Sequence, residues 1–258
     1  MAENIYDINI ASCIGQGGTK TAYLVSNDTV AFLPNQIDGK WLIDQWPRII
    51  DDEIKMSQLL QKFQIPTLKF TLCQLRMTDG SLFSSYSCPS FESYEKTGNY
   101  IIDTKNSDSS RWPKDFTLSL FPPGAPKMDL DLWVDVLSPL LKDLDQIADN
   151  GFRLASDTLN LVFVKKGSQW HSGSQLPFEI RLFTFDFASK RFALDLSERT
   201  PLKFSQVYRM LRKLVEYAIW EELAPTKICL TTEQNEFREN LSNLCKTKLK
   251  TYDPNELR

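Results

Sequence analysis

The chain has 258 residues, 42% apolar and 24% charged, with a net charge of −3 and a pI near 5.4. It can bury a sizeable core, and the charge fits neither a generally basic nucleic-acid binder nor an acidic tail protein. No run approaches the roughly 18 apolar residues that cross a bilayer, and the acidic start Met1-Ala2-Glu3-Asn4-Ile5-Tyr6-Asp7 lacks the apolar stretch of a signal peptide, so a soluble chain is expected. Five scattered cysteines without a Cys-x-x-Cys pair and a single histidine, His171, argue against structural zinc and for a reduced, cytosolic-type compartment. The same scarcity removes most Ser-His-Asp or Cys-His nucleophiles, and His171, in a glycine- and serine-rich run, reads as a surface residue.

In chain order, residues 8 to 36 read as two or three strands joined by turns. Ile14-Gly15-Gln16-Gly17-Gly18-Thr19-Lys20-Thr21-Ala22-Tyr23-Leu24-Val25 has three glycines in four positions between an apolar start and an alternating run, the pattern of strand, glycine turn and strand. Backbone without Cβ atoms can approach a phosphate closely and donate N–H groups to it; the plainer reading is a hairpin with an exposed Lys20. Asn27-Asp28 is a turn before Val30-Ala31-Phe32-Leu33. Residues 37 to 48 show no clear period and read as a loop with room for a short helical turn. From Asp51 to Gln64, Ile54, Met56, Leu59, Leu60 and Phe63 line one helical face after an acidic first turn, Asp51-Asp52-Glu53, and Pro66 ends the helix. Residues 68 to 75 and 81 to 87 alternate with period two around Met77-Thr78-Asp79-Gly80, a hairpin signature. Residues 89 to 126 are polar and read as a link with an irregular insertion.

Asp129 to Asn150 carries apolar residues at threes and fours, a long helix that Pro139 should kink or split and Gly151 should stop. A loop, Arg153-Leu154-Ala155-Ser156-Asp157-Thr158-Leu159-Asn160, then leads into an apolar strand. Asp157, its only carboxylate, suits a general base, a metal ligand or a turn cap. A second apolar strand, Phe178 to Phe185, delivers Asp186 followed by Phe187 and Ala188. A carboxylate between phenylalanines is costly to bury alone, so either a metal or lysine partner or a water-facing strand end is expected. Beyond it come a charged segment, 189 to 202, and helices over 205 to 222 and 231 to 250, the last with a solvated basic end.

The order of these pieces resembles the protein kinase superfamily over about residues 10 to 190. The glycine turn resembles the loop that closes over ATP, and Asp186-Phe187-Ala188 resembles Asp-Phe-Gly, whose aspartate holds Mg²⁺. Val30-Ala31-Phe32-Leu33 has leucine where such kinases carry the lysine of Val-Ala-Ile-Lys, but Thr19-Lys20-Thr21-Ala22-Tyr23 looks like the with-no-lysine kinases, which place that lysine in the glycine hairpin. A flexible ammonium can reach one phosphate from either strand. The resemblance implies that Gly15, Gly17, Gly18 and Lys20 hold ATP, that Glu53 partners Lys20 with Asp52 competing, that Asn160 and Asp186 bind Mg²⁺, and that Asp157 acts as a displaced catalytic base. Ala155 stands where the usual catalytic aspartate would fall, and no Ala-Pro-Glu closes the charged segment.

The fold implied is α+β and bilobal, a kinase-like domain with an antiparallel N-lobe over 1–90, a link and insertion over 91–127 and a reduced, mostly helical C-lobe over 128–258. The activity implied is atypical phosphotransfer from ATP to a protein serine or threonine, with a nucleotide- or protein-binding pseudokinase and a small-molecule phosphotransferase as rivals. Trimmed lobes of this kind occur in bacterial kinase-like proteins, including translocated effectors. The corresponding locations are the cytoplasm, or a host cell reached without a cleaved signal peptide.

Overall fold

The two or three strands read over residues 8 to 36 are three strands of one sheet, spanning residues 12 to 34. The computed structural model describes residues 4–35, 40–96, 100–102, 129–150, 159–172, 176, 178–184 and 231–249. They divide into two units, one ending at residue 97 and the other taking up the described residues from 98 onward. The architecture is α+β.

The first unit contains β1 (Asn4–Asp7), a 3-10 turn (Ile8–Ile10), β2 (Ser12–Gln16), β3 (Lys20–Ser26), β4 (Thr29–Pro34), α1 (Lys40–Lys62), β5 (Thr71–Arg76), β6 (Leu82–Pro89) and α2 (Phe91–Lys96). Its six strands run in the order β1-β5-β6-β4-β3-β2. All neighbours are antiparallel except β1, which the sequence did not announce and which pairs in parallel with β5. Met77 to Gly80 forms the expected hairpin turn, and Gly80 has φ 82°, where glycine alone is comfortable.

The two edges of this sheet, β1 and β2, are joined by Ile8–Ala11 alone. Five residue steps reach at most about 18 Å, whereas the edges of a flat six-stranded sheet lie about 24 Å apart. The sheet is therefore rolled, and the 3-10 turn crosses its concave face touching both β3 and β5. That face holds an apolar cluster of Val25, Ala31, Cys73 and Leu75, flanked by Tyr6, Ile8, Tyr23, Leu33 and Phe83.

Helix α1 covers the other face and corrects two expectations. It starts at Lys40 instead of Asp51 and runs through Pro47. Proline removes one donor and crowds the preceding turn, but Trp46, 2% exposed, anchors that turn. Its ring lies 5.7 Å from Tyr86 and its indole N–H donates to Ser84 O at 3.2 Å. Tertiary packing overrides the local signal, so Asp51, Asp52 and Glu53 sit in mid-helix and are not an acidic first turn. The helix also stops before Pro66: Gln64 adopts φ 58°, its N–H donates to Gln61 O, and Ile65 N–H donates to Leu60 O, a left-handed cap sealed by buried Leu60 and Ile65. Ser57 Oγ donates to Leu68 O and accepts from Phe70 N–H, tying 68–70 to the helix, and β5 begins only at Thr71.

The second unit contains β7 (Tyr100–Ile102), α3 (Leu130–Asp149), β8 (Leu159–Lys165), β9 (Phe178–Thr184) and α4 (Thr232–Lys248). β7-β8-β9 is an antiparallel sheet, and α3 packs on β9 and α4. The stretch read as a link is thus shared, α2 going to the first unit and β7 to the second. Pro139 does not split α3, because Val136, Leu137, Leu140 and Leu141 are buried on both sides of it. Asp129 caps the helix start, accepting from the N–H groups of Asp131 and Leu132. The strands 161–164 and 178–183 are buried throughout, yet Arg181 lies among them. Its guanidinium donates to both Asp143 oxygens at 2.7 Å and to Trp170 O, while Leu182 N–H donates to Asp143 at 3.1 Å. Burial pushes the Asp143 carboxyl up, to about 6, with Arg181 opposing. Helix α4 opens with a capping box between Thr231 and Gln234. Gly151 and the segments 189–202 and 205–222 lie outside the described residues.

Candidate functional site

The glycine hairpin joins β2 to β3. Gly17 N–H donates to Lys20 O at 2.8 Å, leaving Gly18 and Thr19 at the tip. The β2–β3 register slips between Cys13 and Gly15, a bulge at Ile14, which is 55% exposed. None of the three glycines is demanded by its surroundings. A Cβ at Gly15 or Gly18 would meet nothing within 4 Å, and one at Gly17 only Lys20 O at 3.6 Å.

Lys20 is the first residue of β3, opposite Pro34 of β4, with Ala22 opposite Phe32. This register turns Lys20 to the α1 side of the sheet, where it is 9% exposed. Its Nζ lies 2.5 Å from Glu53 Oε1 and donates to Tyr86 Oη at 2.9 Å. The ammonium also stands 5.0 Å from the Phe32 ring centroid and 5.5 Å from that of Tyr86, and these two rings stack at 4.8 Å. Glu53 is fully buried, and the Tyr86 hydroxyl lies 3.4 Å from its Oε1. Asp52, the rival partner, stays on the outer side of α1 near Arg48, at 3.7 Å.

A buried ion pair is a poor device for stability alone, since desolvating two charges offsets most of their attraction and apolar side chains of similar volume do as well. Nearby, burial pushes the Cys88 thiol well up, with Lys20 acting against that and Glu53 with it. Cys88 is therefore a neutral, unreactive wall.

Leu33, at the lysine position of the kinase pattern, packs against the concave cluster, on the face away from Lys20. A lysine there would enter an apolar core. Sequence reasoning missed Tyr86, Phe32 and Asn35. Tyr86 was legible in principle, as the inward member of the alternating run 82–89; Asn35 follows the end of a strand and carried no signal.

In the second unit, Asn160 is the second residue of β8, its backbone opposite Phe183 of β9, while Leu159 faces Thr184. Asp157 and Asp186 lie outside the described residues, two positions before β8 and two after β9. His171, read as a surface residue, is half-buried. Among the described residues no group of three metal-ligating side chains forms a metal site, and no helix is long and apolar enough to cross a membrane. The structure thus brings together Gly15, Gly17, Gly18, Lys20 and Glu53 in one unit and puts Asn160 in the other.

Neither a protein-family model nor a curated protein matches the chain. Among solved structures, the GDP complex of an aminoglycoside 2'-phosphotransferase-IIIa mutant aligns over 93% of this chain and 91% of its own at 13% identity, with a TM-score of 0.27, a superposition too loose to bear on fold or chemistry.

Proposed function

We propose that the chain is an atypical, ATP- and Mg²⁺-dependent phosphotransferase of kinase-like fold, delivering the γ-phosphoryl group to a hydroxyl, with a protein serine or threonine as first acceptor to try. The observation that carries this reading is the Lys20 ammonium, held against buried Glu53 at the foot of three glycines whose Cβ positions are open. Neither half of that arrangement is explained by folding alone, and both are explained by a polyphosphate resting on the turn.

In this reading the glycine backbone receives the phosphates, Lys20 balances their charge, and Glu53 with Tyr86 aims the ammonium. The carboxylate of Asp186 and the amide oxygen of Asn160 are hard oxygen donors that suit Mg²⁺; the ion would neutralise charge on the phosphates. Asp157 would orient the acceptor hydroxyl and take its proton. Positioning and electrostatics dominate phosphoryl transfer, so the missing aspartate at Ala155 does not by itself abolish it.

The test is an ATP thermal shift with and without Mg²⁺, followed by radiolabelled phosphate transfer, on wild type, Gly18→Ala, Lys20→Ala and Asp186→Ala. Gly18→Ala should leave the unfolding midpoint unchanged and weaken ATP binding. Lys20→Ala and Asp186→Ala should abolish transfer. Absence of any Mg²⁺-dependent ATP binding by the wild type would overturn the reading. Binding without transfer would convert it to a pseudokinase, and transfer to small alcohols but not polypeptides would make it a small-molecule enzyme.

A further inference from the structure

Asn35, just past the end of β4, is 2% exposed, and its side chain reaches back into the glycine hairpin. Its Nδ2 donates to Gly17 O at 2.5 Å, its Oδ1 accepts from Thr21 Oγ1 at 2.7 Å, and its backbone N–H donates to Thr19 O at 3.0 Å. With Gly17 N–H given to Lys20 O, both peptide groups of Gly17 and the carbonyl of Thr19 are fixed by the protein itself. Among the described residues, the N–H groups of Gly18 and Thr19 have no protein acceptor. We infer that Asn35 is a positioning residue that presets the glycine turn, so that the Gly18 and Thr19 N–H groups form an anion seat beside Lys20 before any ligand arrives.

This inference rests on the phosphate-binding reading for the identity of the anion, but not for the shape of the turn. Asparagine is required because one planar amide must donate on one side and accept on the other. Aspartate has the same outline, keeps the bond from Thr21 and turns an acceptor toward the Gly17 carbonyl. A preset turn binds more tightly because its ordering is complete before the encounter.

The experiment compares wild type with Asn35→Asp by amide hydrogen exchange over residues 16–21 and by affinity for Mg-ATP and for Mg²⁺ with inorganic tripolyphosphate. Loss of one buried bond and creation of an opposed pair of oxygens should speed exchange in the turn by about tenfold or more and weaken both ligands by a similar factor. Asn35→Ser, which retains a donor and an acceptor on a shorter arm, should recover part of both. A role confined to general stability would lower the unfolding midpoint and speed exchange across the whole sheet. Unchanged exchange in the turn overturns the inference, as does faster exchange with unchanged affinity. Faster exchange in the turn with no ligand bound by either protein upholds the assignment of Asn35 to the turn and removes the phosphotransfer reading instead.

Discussion

Among the described residues, each unit buries an ion pair, Arg181 with Asp143 and Lys20 with Glu53, built to different specifications. Arg181 and Asp143 meet through a two-pronged fork, and the surrounding groups complete it: Trp170 O accepts a hydrogen bond from the guanidinium, Leu182 N–H donates to the carboxylate, and Glu179, itself held by Ser172, lies 3.5 Å from the guanidinium. Lys20 meets Oε1 of Glu53 between a phenol and two ring faces, on a strand that begins at a glycine turn. The first pair ties α3 to β9. The second sets a point charge where β3 leaves the hairpin, and a point charge on a flexible stem can follow a ligand in a way that a fork cannot.

The contrast breaks most visibly at Arg181. Arg181→Met should cost about 3 to 5 kcal/mol in urea unfolding at neutral pH, because Asp143 and Glu179 would remain buried without a cation. A loss under 1 kcal/mol would show the fork to be dispensable. Next in size, Lys20→Met combined with Glu53→Leu removes both charges at once. Its stability should stay within about 2 kcal/mol of wild type, while ATP binding disappears. A collapse of the fold in this double variant would make the second pair as structural as the first.

The smallest effect sharpens the comparison through pH. The folded Asp143 carboxyl, at about 6, lies above the roughly 3.9 of an unfolded aspartate. Folding therefore takes up a proton between these values, and this group's contribution, full below about 4, is lost as pH rises through about 6. Without Arg181 the carboxyl moves higher still, so the stability gap between wild type and Arg181→Met should narrow on acidification from pH 7 to 5. A gap that widens would place the lost stability elsewhere than in an isolated carboxylate.

Much of the first unit was legible from sequence, because alternation and turn chemistry are local. Lys20 and Glu53 were paired only by the resemblance to kinases, with Asp52 as a rival, since the residues alone read as an exposed lysine and an acidic first turn; the two meet. The start of α1 was not legible: Pro47 is a genuine local stop signal, and only the contact of Trp46 with Tyr86 and Ser84 outweighs it. β1 was hidden because a four-residue strand paired with a partner 69 positions away leaves no local trace. Asn35 was hidden because its work is done by one side chain in two long-range bonds. In the second unit the strands 159–165 and 178–184 were readable as apolar runs, whereas the fork of Arg181 with Asp143 appears only when helix and strand are packed.

The crossing of the rolled sheet by Ile8–Ala11 also has a consequence for how the chain comes together. The β1–β5 ladder cannot close until both ends of a 69-position loop meet, a slow event beside formation of the hairpins that the loop contains. Cys73, paired in register with Asn4 and 1% exposed once the cluster is complete, is sealed only when that last strap is laid across the bowl. Its thiol is thus a built-in clock: during refolding, the time at which it stops reacting with an added alkylating agent marks the moment the sheet locks.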